Sequence, residues 1–207
     1  MIAVATLSVF VPTFFLVSLT PGMCMTLAMV LGMTQGVRRA LWMMVGELAG
    51  VALVAVSAGA GVAALMLAQP ALFTAFKWLG GAYLAYLGIM MWRERGRMAI
   101  PELSGEQQAV GRRTLMMQGF VTAIANPKGW AFFVALLPPF LDASRSLAPQ
   151  LAVLVTMILA IEFLCLMLYA AGGRSAGRLL GNAGHVRLLN RLAGTLMIGV
   201  GAWLALG

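Results

Sequence analysis

The chain has 207 residues, of which 62% are apolar and only 10% charged, and its formal net charge is +8. Its mean hydropathy is +0.96. A soluble domain carries about 25% charged residues, so this composition excludes a water-soluble globule. The apolar blocks are continuous and lack the period-two alternation of a transmembrane β-barrel. We therefore predict an all-α membrane protein.

Six apolar blocks follow one another along the chain. About 20 residues are needed to cross the hydrocarbon of a bilayer, and the blocks cover residues 5–31, 41–67, 73–92, 115–137, 149–171 and 188–206. The first block is too long for a signal peptide and lacks its basic start, so we expect a retained helix. We predict six transmembrane helices, with a first three-helix unit over 1–92, a cytoplasmic linker over 93–113 and a second unit over 114–207. The Gly-rich stretch 172–184 is expected to be a connection.

Arginine residues are concentrated in alternate connections. The first connection holds Arg38 and Arg39, the third holds Arg93, Arg95, Arg97, Arg112 and Arg113, and the fifth holds Arg174, Arg178 and Arg187. Positively charged loops stay in the cytoplasm, so these three connections are predicted to be cytoplasmic and both termini to lie outside. The same distribution accounts for the basic net charge, and no nucleic-acid partner is expected.

Matching residues recur in the same order in the two halves of the chain. The matched pairs are Pro21 with Pro127, Glu47 with Glu162, Leu79 with Leu192, Gly81 with Gly194 and Gly88 with Gly201. Each half has an odd number of predicted crossings, so the second half would enter the membrane from the opposite face. The sequence thus predicts two inverted-topology three-helix repeats, an architecture of many secondary transporters.

Two predicted helices contain a break at matched positions, within Ser-Leu-Thr-Pro-Gly (18–22) and Ala-Asn-Pro-Lys-Gly-Trp (125–130). Proline removes a backbone donor and disrupts the preceding turn. The half-helix after a break begins with unpaired N–H groups and a positive dipole end, which favour an anion. We predict that Pro21, Gly22, Asn126, Pro127 and Lys128 form a substrate site. The alternative is that the prolines only kink packed helices.

Glu47 and Glu162 lie inside the second and fifth predicted helices. A charged side chain at membrane depth costs at least ~2.5–3.5 kcal/mol on insertion scales, so it must be paired, hydrated or protonated. Desolvation favours the neutral form of a carboxylate, which suits a proton carrier, and a carboxylate also suits a substrate ammonium group. A small zwitterionic substrate would satisfy both the helix breaks and the glutamates. An ion pair of Lys128 with one glutamate, serving packing alone, is the alternative.

Metal and cofactor sites are not indicated. Cys24 and Cys165 both lie in apolar blocks without paired spacing or a neighbouring histidine, and they are expected to pack as small apolar residues. The single His185 lies in a basic connection. Glycine-rich faces suit helix contacts within one chain and between copies equally well, so a monomer and a homo-oligomer both remain open.

Taken together, these motifs resemble the LysE/RhtB family of bacterial amino-acid exporters. The shared features are Ser-Leu-Thr-Pro-Gly, Gln-Gly-x-Arg-Arg in the first connection, Gly-Glu in the second helix, Gly-Gly-x-Tyr-Leu-x-Tyr-Leu-Gly in the third and Asn-Pro-Lys in the fourth. The resemblance implies an inner-membrane exporter of amino acids or their derivatives, driven by the proton-motive force. It carries the family's acidic position to Glu47 and its Asn-Pro-Lys to Asn126, Pro127 and Lys128. The family's usual Pro-Gly-Pro is Pro21-Gly22-Met23 here.

The sequence therefore predicts alternating access with exchange of a cytoplasmic amino acid for external protons, both at a site between two repeats. A passive channel and a scaffold subunit that pairs its buried charges with another protein remain as alternatives. An enzyme is not expected, because no Ser–His or metal cluster occurs at membrane depth. The sequence does not assign Glu47 and Glu162 individually to proton coupling or to ammonium binding.

Overall fold

A computed structural model describes residues 4–94, 110–142 and 144–206 of the chain. Within these ranges the side chains at 4–7, 66, 70, 71, 73, 76, 77, 127, 128, 131, 139, 174–181 and 204 lie outside the description. The described chain is all-helical, with eight α-helices, one short 3-10 turn and no strand. The all-α prediction is confirmed. Residues 95–109, the central part of the predicted linker, lie outside the described residues.

Eight helices are described along the chain. They are α1 (Val4–Leu19), α2 (Met23–Gln35), α3 (Val37–Ala68), α4 (Pro70–Arg93), α5 (Arg112–Ile124), α6 (Pro127–Leu136), α7 (Leu147–Gly181) and α8 (Ala183–Leu206), with the 3-10 turn at Pro138–Phe140. Two described stretches, Val37–Leu65 and Leu147–Gly173, are each long and apolar enough to cross a membrane. Ser8–Leu19 and Met23–Gln35 meet at 58° and make a third span if the bent pair is counted as one. The predicted number of six crossings remains a prediction.

Helices end at both predicted breaks. α1 has 16 residues and α2 has 13, which correspond to about 24 and 20 Å of helix. Neither length alone covers a hydrocarbon core of about 30 Å. The same holds for α5 and α6, which have 13 and 10 residues. Each of these four half-helices is therefore too short to cross the core by itself.

Residues 172–184, predicted as a connection, are mostly helical, and the apolar stretch long enough to cross a membrane ends at Gly173, close to the predicted start of that connection. Helix α7 continues to Gly181 with a kink at Gly173 (φ 38°, ψ −114°), and α8 already begins at Ala183. The positive φ at Gly173 is accessible to glycine without a side-chain clash. The kink therefore interrupts the helix at one residue, after which a segment containing alanine and leucine, both good helix formers, resumes it.

Glycines allow two pairs of helices to pack with their backbones in close contact. In the α3–α5 pair, Gly46 lies against the Met116 backbone, and a Cβ on Gly50 would be 2.9 Å from the Phe120 carbonyl oxygen. Four residues further along α3, from Gly46 to Gly50, the contact lies four residues further along α5, from Met116 to Phe120. The two helices therefore run parallel. Close approach through small residues is a common basis of helix association in lipid.

The α4–α8 pair is antiparallel. A Cβ on Gly81 would lie 2.5 Å from the carbonyl oxygen of Gly201, and a Cβ on Gly88 would lie 2.5 Å from that of Gly194. From Gly81 to Gly88 the contact moves seven residues forward along α4, and from Gly201 to Gly194 it moves seven residues backward along α8. Trp92 Nε1 also donates a hydrogen bond of 3.0 Å to Thr195 Oγ1 across this pair.

Buried apolar side chains form two clusters. The first, which we call the aromatic cluster, contains Phe10, Phe14, Phe132, Phe133 and Phe140 together with aliphatic residues of α3, α7 and α8. The second, which we call the methionine cluster, contains Met25, Met29, Met43 and Met44 with Leu115, Cys165, Leu166 and Tyr169. The half-helix α1 contributes to the aromatic cluster and α2 to the methionine cluster, so the break at Pro21 lies between the two.

We expect Gly201→Ala to destabilise the protein, because the added methyl group would lie 2.6 Å from the Gly81 carbonyl oxygen. Overpacking of this kind costs about 1–3 kcal/mol. Gly199→Ala is the matched control, since a Cβ there meets nothing within 4 Å. Thermal unfolding in detergent should give a lower Tm for Gly201→Ala alone, and equal Tm values for the two variants would contradict this packing.

Candidate functional site

A cavity of about 80 Å³ lies where the two helix breaks meet. Gly22 of the first break and Asn126 of the second line it, together with Glu47 from α3 and Glu162 from α7. Phe14 and Met25, members of the aromatic and methionine clusters, also line the cavity. Its volume is several times the minimum for one water molecule. The structure thus brings both breaks and both glutamates to one cavity among the helices, whose lining is otherwise largely apolar.

The backbone at the first break is satisfied largely by protein donors. Thr20 N–H donates to the carbonyl oxygens of Leu16 and Val17 at 3.1 and 3.2 Å, and the Thr20 hydroxyl donates to Leu16 O at 2.9 Å. The hydroxyl of Tyr169 on α7 donates to Leu19 O at 2.8 Å. Carbonyl groups freed by a break at membrane depth need such partners, so Tyr169 stabilises the end of α1.

At the second break, a tryptophan side chain donates the hydrogen bond to the end of the first half-helix. Ala125 N–H donates to Val121 O at 2.8 Å, and the indole Nε1–H of Trp130 donates to Ile124 O at 2.9 Å. Trp130 belongs to α6, the half-helix that follows the break. The last carbonyl group of α5 therefore accepts a hydrogen bond from the next helix, α6, whereas that of α1 accepts one from α7.

Glu47 has an unusual environment. Its side chain is 0% exposed, and neither carboxyl oxygen has a hydrogen-bond partner among the described residues. The helix position is fixed by close packing, because Gly119 of α5 lies against the backbone of Met43 and Glu47. The carboxyl group is thus held at the cavity wall by the α3–α5 contact.

Glu162 lies at the same cavity and is hydrogen-bonded. Ser18 Oγ donates to Glu162 Oε2 at 2.6 Å. Ser18 is the fourth residue before Gly22, so this contact joins α7 to the last turn of α1 next to the break. Glu162 is half-buried, whereas Glu47 is fully buried. The two glutamates therefore differ in both exposure and hydrogen bonding.

The sequence-predicted site residues are brought together as far as the description extends. Gly22, Asn126, Glu47 and Glu162 line the cavity, and Pro21 lies in the break between α1 and α2. The side chains of Pro127 and Lys128 lie outside the described residues, although α6 begins at Pro127. The predicted pairing of Lys128 with a glutamate therefore remains a prediction.

Sequence reasoning missed several residues of the site. It did not single out Ser18 or Cys24 as cavity residues, and it gave Trp130 no role. Ser18 stands within the quoted Ser-Leu-Thr-Pro-Gly motif, so its place one turn before the break was a usable signal. The contact of Tyr169 with α1 joins residues 150 positions apart, and no local pattern indicates it.

Broken helices that meet around a polar cavity, with carboxyl groups at membrane depth, are typical of membrane transporters. Residues 15–207 match the family described as LysE type translocator. The chain therefore belongs to the LysE family, a family of transporters and not of enzymes, and is a membrane protein.

Relatives cover nearly the whole chain. An "Uncharacterized membrane protein" of Vibrio cholerae is 32% identical over 91% of this chain and 90% of its own length. A "Homoserine/homoserine lactone efflux protein" of Salmonella typhimurium is 28% identical over 92% and 91%. A "Leucine efflux protein" of Enterobacter sp. is 30% identical over 92% and 90%. No solved structure matches the chain.

We expect Tyr169→Phe to destabilise the protein, because it removes the donor to Leu19 O and leaves a buried carbonyl group without that partner. Such a loss costs about 1–3 kcal/mol. Tyr83→Phe is the matched control, since Tyr83 is 42% exposed and Tyr169 only 4%. Unfolding by denaturing detergent in mixed micelles gives the free energy. An equal free energy for both variants would show that Tyr169 does not support the break.

Proposed function

We propose that the protein is a secondary active exporter that moves an amino acid or a close derivative out of the cytoplasm in exchange for protons. The observation that carries the proposal is the single cavity formed by both helix breaks and both glutamates. Membership of the LysE family supports it. Relatives named for efflux of homoserine, homoserine lactone and leucine support an amino-acid substrate.

The cavity is suited to a zwitterion. No side chain caps the N-terminus of α2 at Gly22, and the first N–H groups of a helix favour an anion such as a carboxylate. Glu47 on α3 and Glu162 on α7 supply carboxyl groups that could bind the ammonium group of the substrate. Phe14, Phe132 and Phe133 give the same cavity an apolar wall against which an aliphatic substrate side chain could pack.

We further propose six crossings arranged as two inverted three-helix repeats. In that arrangement Gly81 corresponds to Gly194, and Gly88 to Gly201. The observed contacts join Gly81 to Gly201 and Gly88 to Gly194, which is the crosswise pattern that a two-fold axis between equivalent helices produces. The parallel course of α3 and α5 also agrees with six alternating crossings, because these helices would form the second and fourth.

Alternating access would use the two apolar clusters that meet at the cavity. The aromatic cluster would close the side reached by α1, and the methionine cluster would close the side reached by α2. Methionine side chains are flexible and adapt to changes in packing, which suits a barrier that re-forms in every cycle. We propose that the methionine side faces the cytoplasm and that both termini lie in the periplasm of a bacterial inner membrane, because the arginine-rich connections would then be cytoplasmic.

Purified protein in proteoliposomes with an acidic interior should accumulate external radiolabelled homoserine or leucine. Accumulation should saturate with substrate and disappear when nigericin collapses the pH gradient, because proton flux is its driving force. Flux that ignores the gradient and does not saturate would contradict the proposal and favour a passive channel. Absence of any flux or binding, together with copurification of a second protein, would favour a scaffold subunit.

Gly61→Ala is the matched control for variants of α3 in this assay. Gly61 lies on the same helix as Glu47, and a Cβ there meets nothing within 4 Å. We expect this variant to transport at the wild-type rate. A loss of transport in Gly61→Ala would mean that α3 tolerates no change, and inactive α3 variants would then carry no information about the cavity.

A further inference from the structure

The two glutamates of the cavity are not equivalent, and their surroundings distinguish their roles. Glu47 is fully buried, and its carboxyl oxygens have no hydrogen-bond partner among the described residues. Two other described titratable side chains line the cavity with Glu47, namely Cys24 on α2 and Glu162 on α7. Helix α6 carries Lys128, whose side chain lies outside the described residues. Burial without hydrogen bonds strongly disfavours the charged form of a carboxyl group.

Glu162 has a hydrogen-bond donor that can stabilise a negative charge. Ser18 Oγ donates to Glu162 Oε2 at 2.6 Å, and a donor to a carboxylate favours its charged form. Glu162 is also half-buried and lines the cavity. Ser18 thus orients the Glu162 carboxylate at the cavity and can stabilise its charge.

We propose that Glu47 carries the coupling proton and that Glu162, positioned by Ser18, binds the ammonium group of the substrate. This assignment rests on the proposed exporter function. Two carboxylates at one cavity repel each other and favour protonation of one of them. In the empty site that one is Glu47, because Glu162 has the hydrogen-bond donor that stabilises a charge.

The assignment gives a simple exchange cycle. A substrate ammonium group beside Glu162 brings a positive charge into the cavity, which stabilises the carboxylate of Glu47. The Glu47 O–H bond then breaks and the proton leaves to cytoplasmic water. After the substrate has left on the other side, Glu47 loses this stabilisation and takes up a proton from the periplasm. One proton enters for each substrate exported, and the cavity never holds two unpaired carboxylates.

Proteoliposomes that hold wild type, Glu47→Gln or Glu162→Gln test the assignment with radiolabelled homoserine or leucine as the probe. Glutamine mimics a permanently protonated glutamate. Glu47→Gln should retain substrate–substrate exchange without a pH gradient but lose gradient-driven accumulation. Glu162→Gln should show a KM for exchange raised at least about tenfold, as expected when a buried charged partner is removed. Monodispersity and Tm confirm that each variant is folded.

Ser18 provides an independent test of positioning. Ser18→Ala should raise KM and leave the pH dependence of gradient-driven accumulation unchanged, and Ser18→Thr should restore KM because it keeps the hydroxyl. Thr13→Val is the matched control on the same helix, since the Thr13 hydroxyl donates to Val9 O at 2.8 Å within α1 itself. It should keep the wild-type KM. An unchanged KM in Ser18→Ala overturns the role of Ser18.

The outcomes separate this assignment from the exporter function. Wild-type protein that ignores the pH gradient refutes the proposed function. The assignment alone is overturned if the wild type is coupled to protons but Glu162→Gln loses the coupling and Glu47→Gln loses substrate binding. It is also overturned if both variants fold and lose exchange equally. Should Glu47→Gln not fold, Glu47→Asp replaces it. A shifted pH profile of accumulation then supports the assignment, and an unshifted profile overturns it.

Discussion

The free-energy cost of an unpaired charge or backbone group inside a bilayer governs this structure. Each unsatisfied polar group in hydrocarbon costs several kcal/mol, and both broken segments create such groups. The carbonyls of Leu16, Val17 and Leu19 find donors in Thr20 and Tyr169, and that of Ile124 finds one in Trp130. The breaks are thus stabilised by protein groups. The Glu47 carboxyl group, by contrast, faces the cavity without a described partner.

The proposed inverted repeat would combine a symmetric scaffold with an asymmetric site. The crosswise glycine contacts of α4 and α8 agree with the proposed inverted repeat, which would give two related states of similar energy. Glu47 and Glu162, matched in that repeat, nevertheless differ in burial and in hydrogen bonding to Ser18. Symmetry of the scaffold would allow the cavity to open to either side. Asymmetry of the carboxyl groups would allow it to bind two different ligands.

The sequence predicted the features that depend on local chemistry. Pro21 and Pro127 indicated the two breaks because proline lacks a backbone donor, and Glu47 and Glu162 stood out because charges in apolar blocks are rare. Four of the predicted site residues line one cavity. The sequence could not show that Tyr169 reaches Leu19, because that contact depends on how α7 packs against α1. It also could not show that the connection predicted over 172–184 is mostly helical after a kink at Gly173.

The central claim is that the substrate and a proton compete at one cavity through Glu47. Proton release on substrate binding tests it most directly, with a pH indicator and purified protein in weakly buffered detergent. Addition of homoserine or leucine to the wild type should release protons, and the same addition to Glu47→Gln should bind substrate without release. Substrate binding to the wild type without proton release, or an unchanged release in Glu47→Gln, would contradict the account.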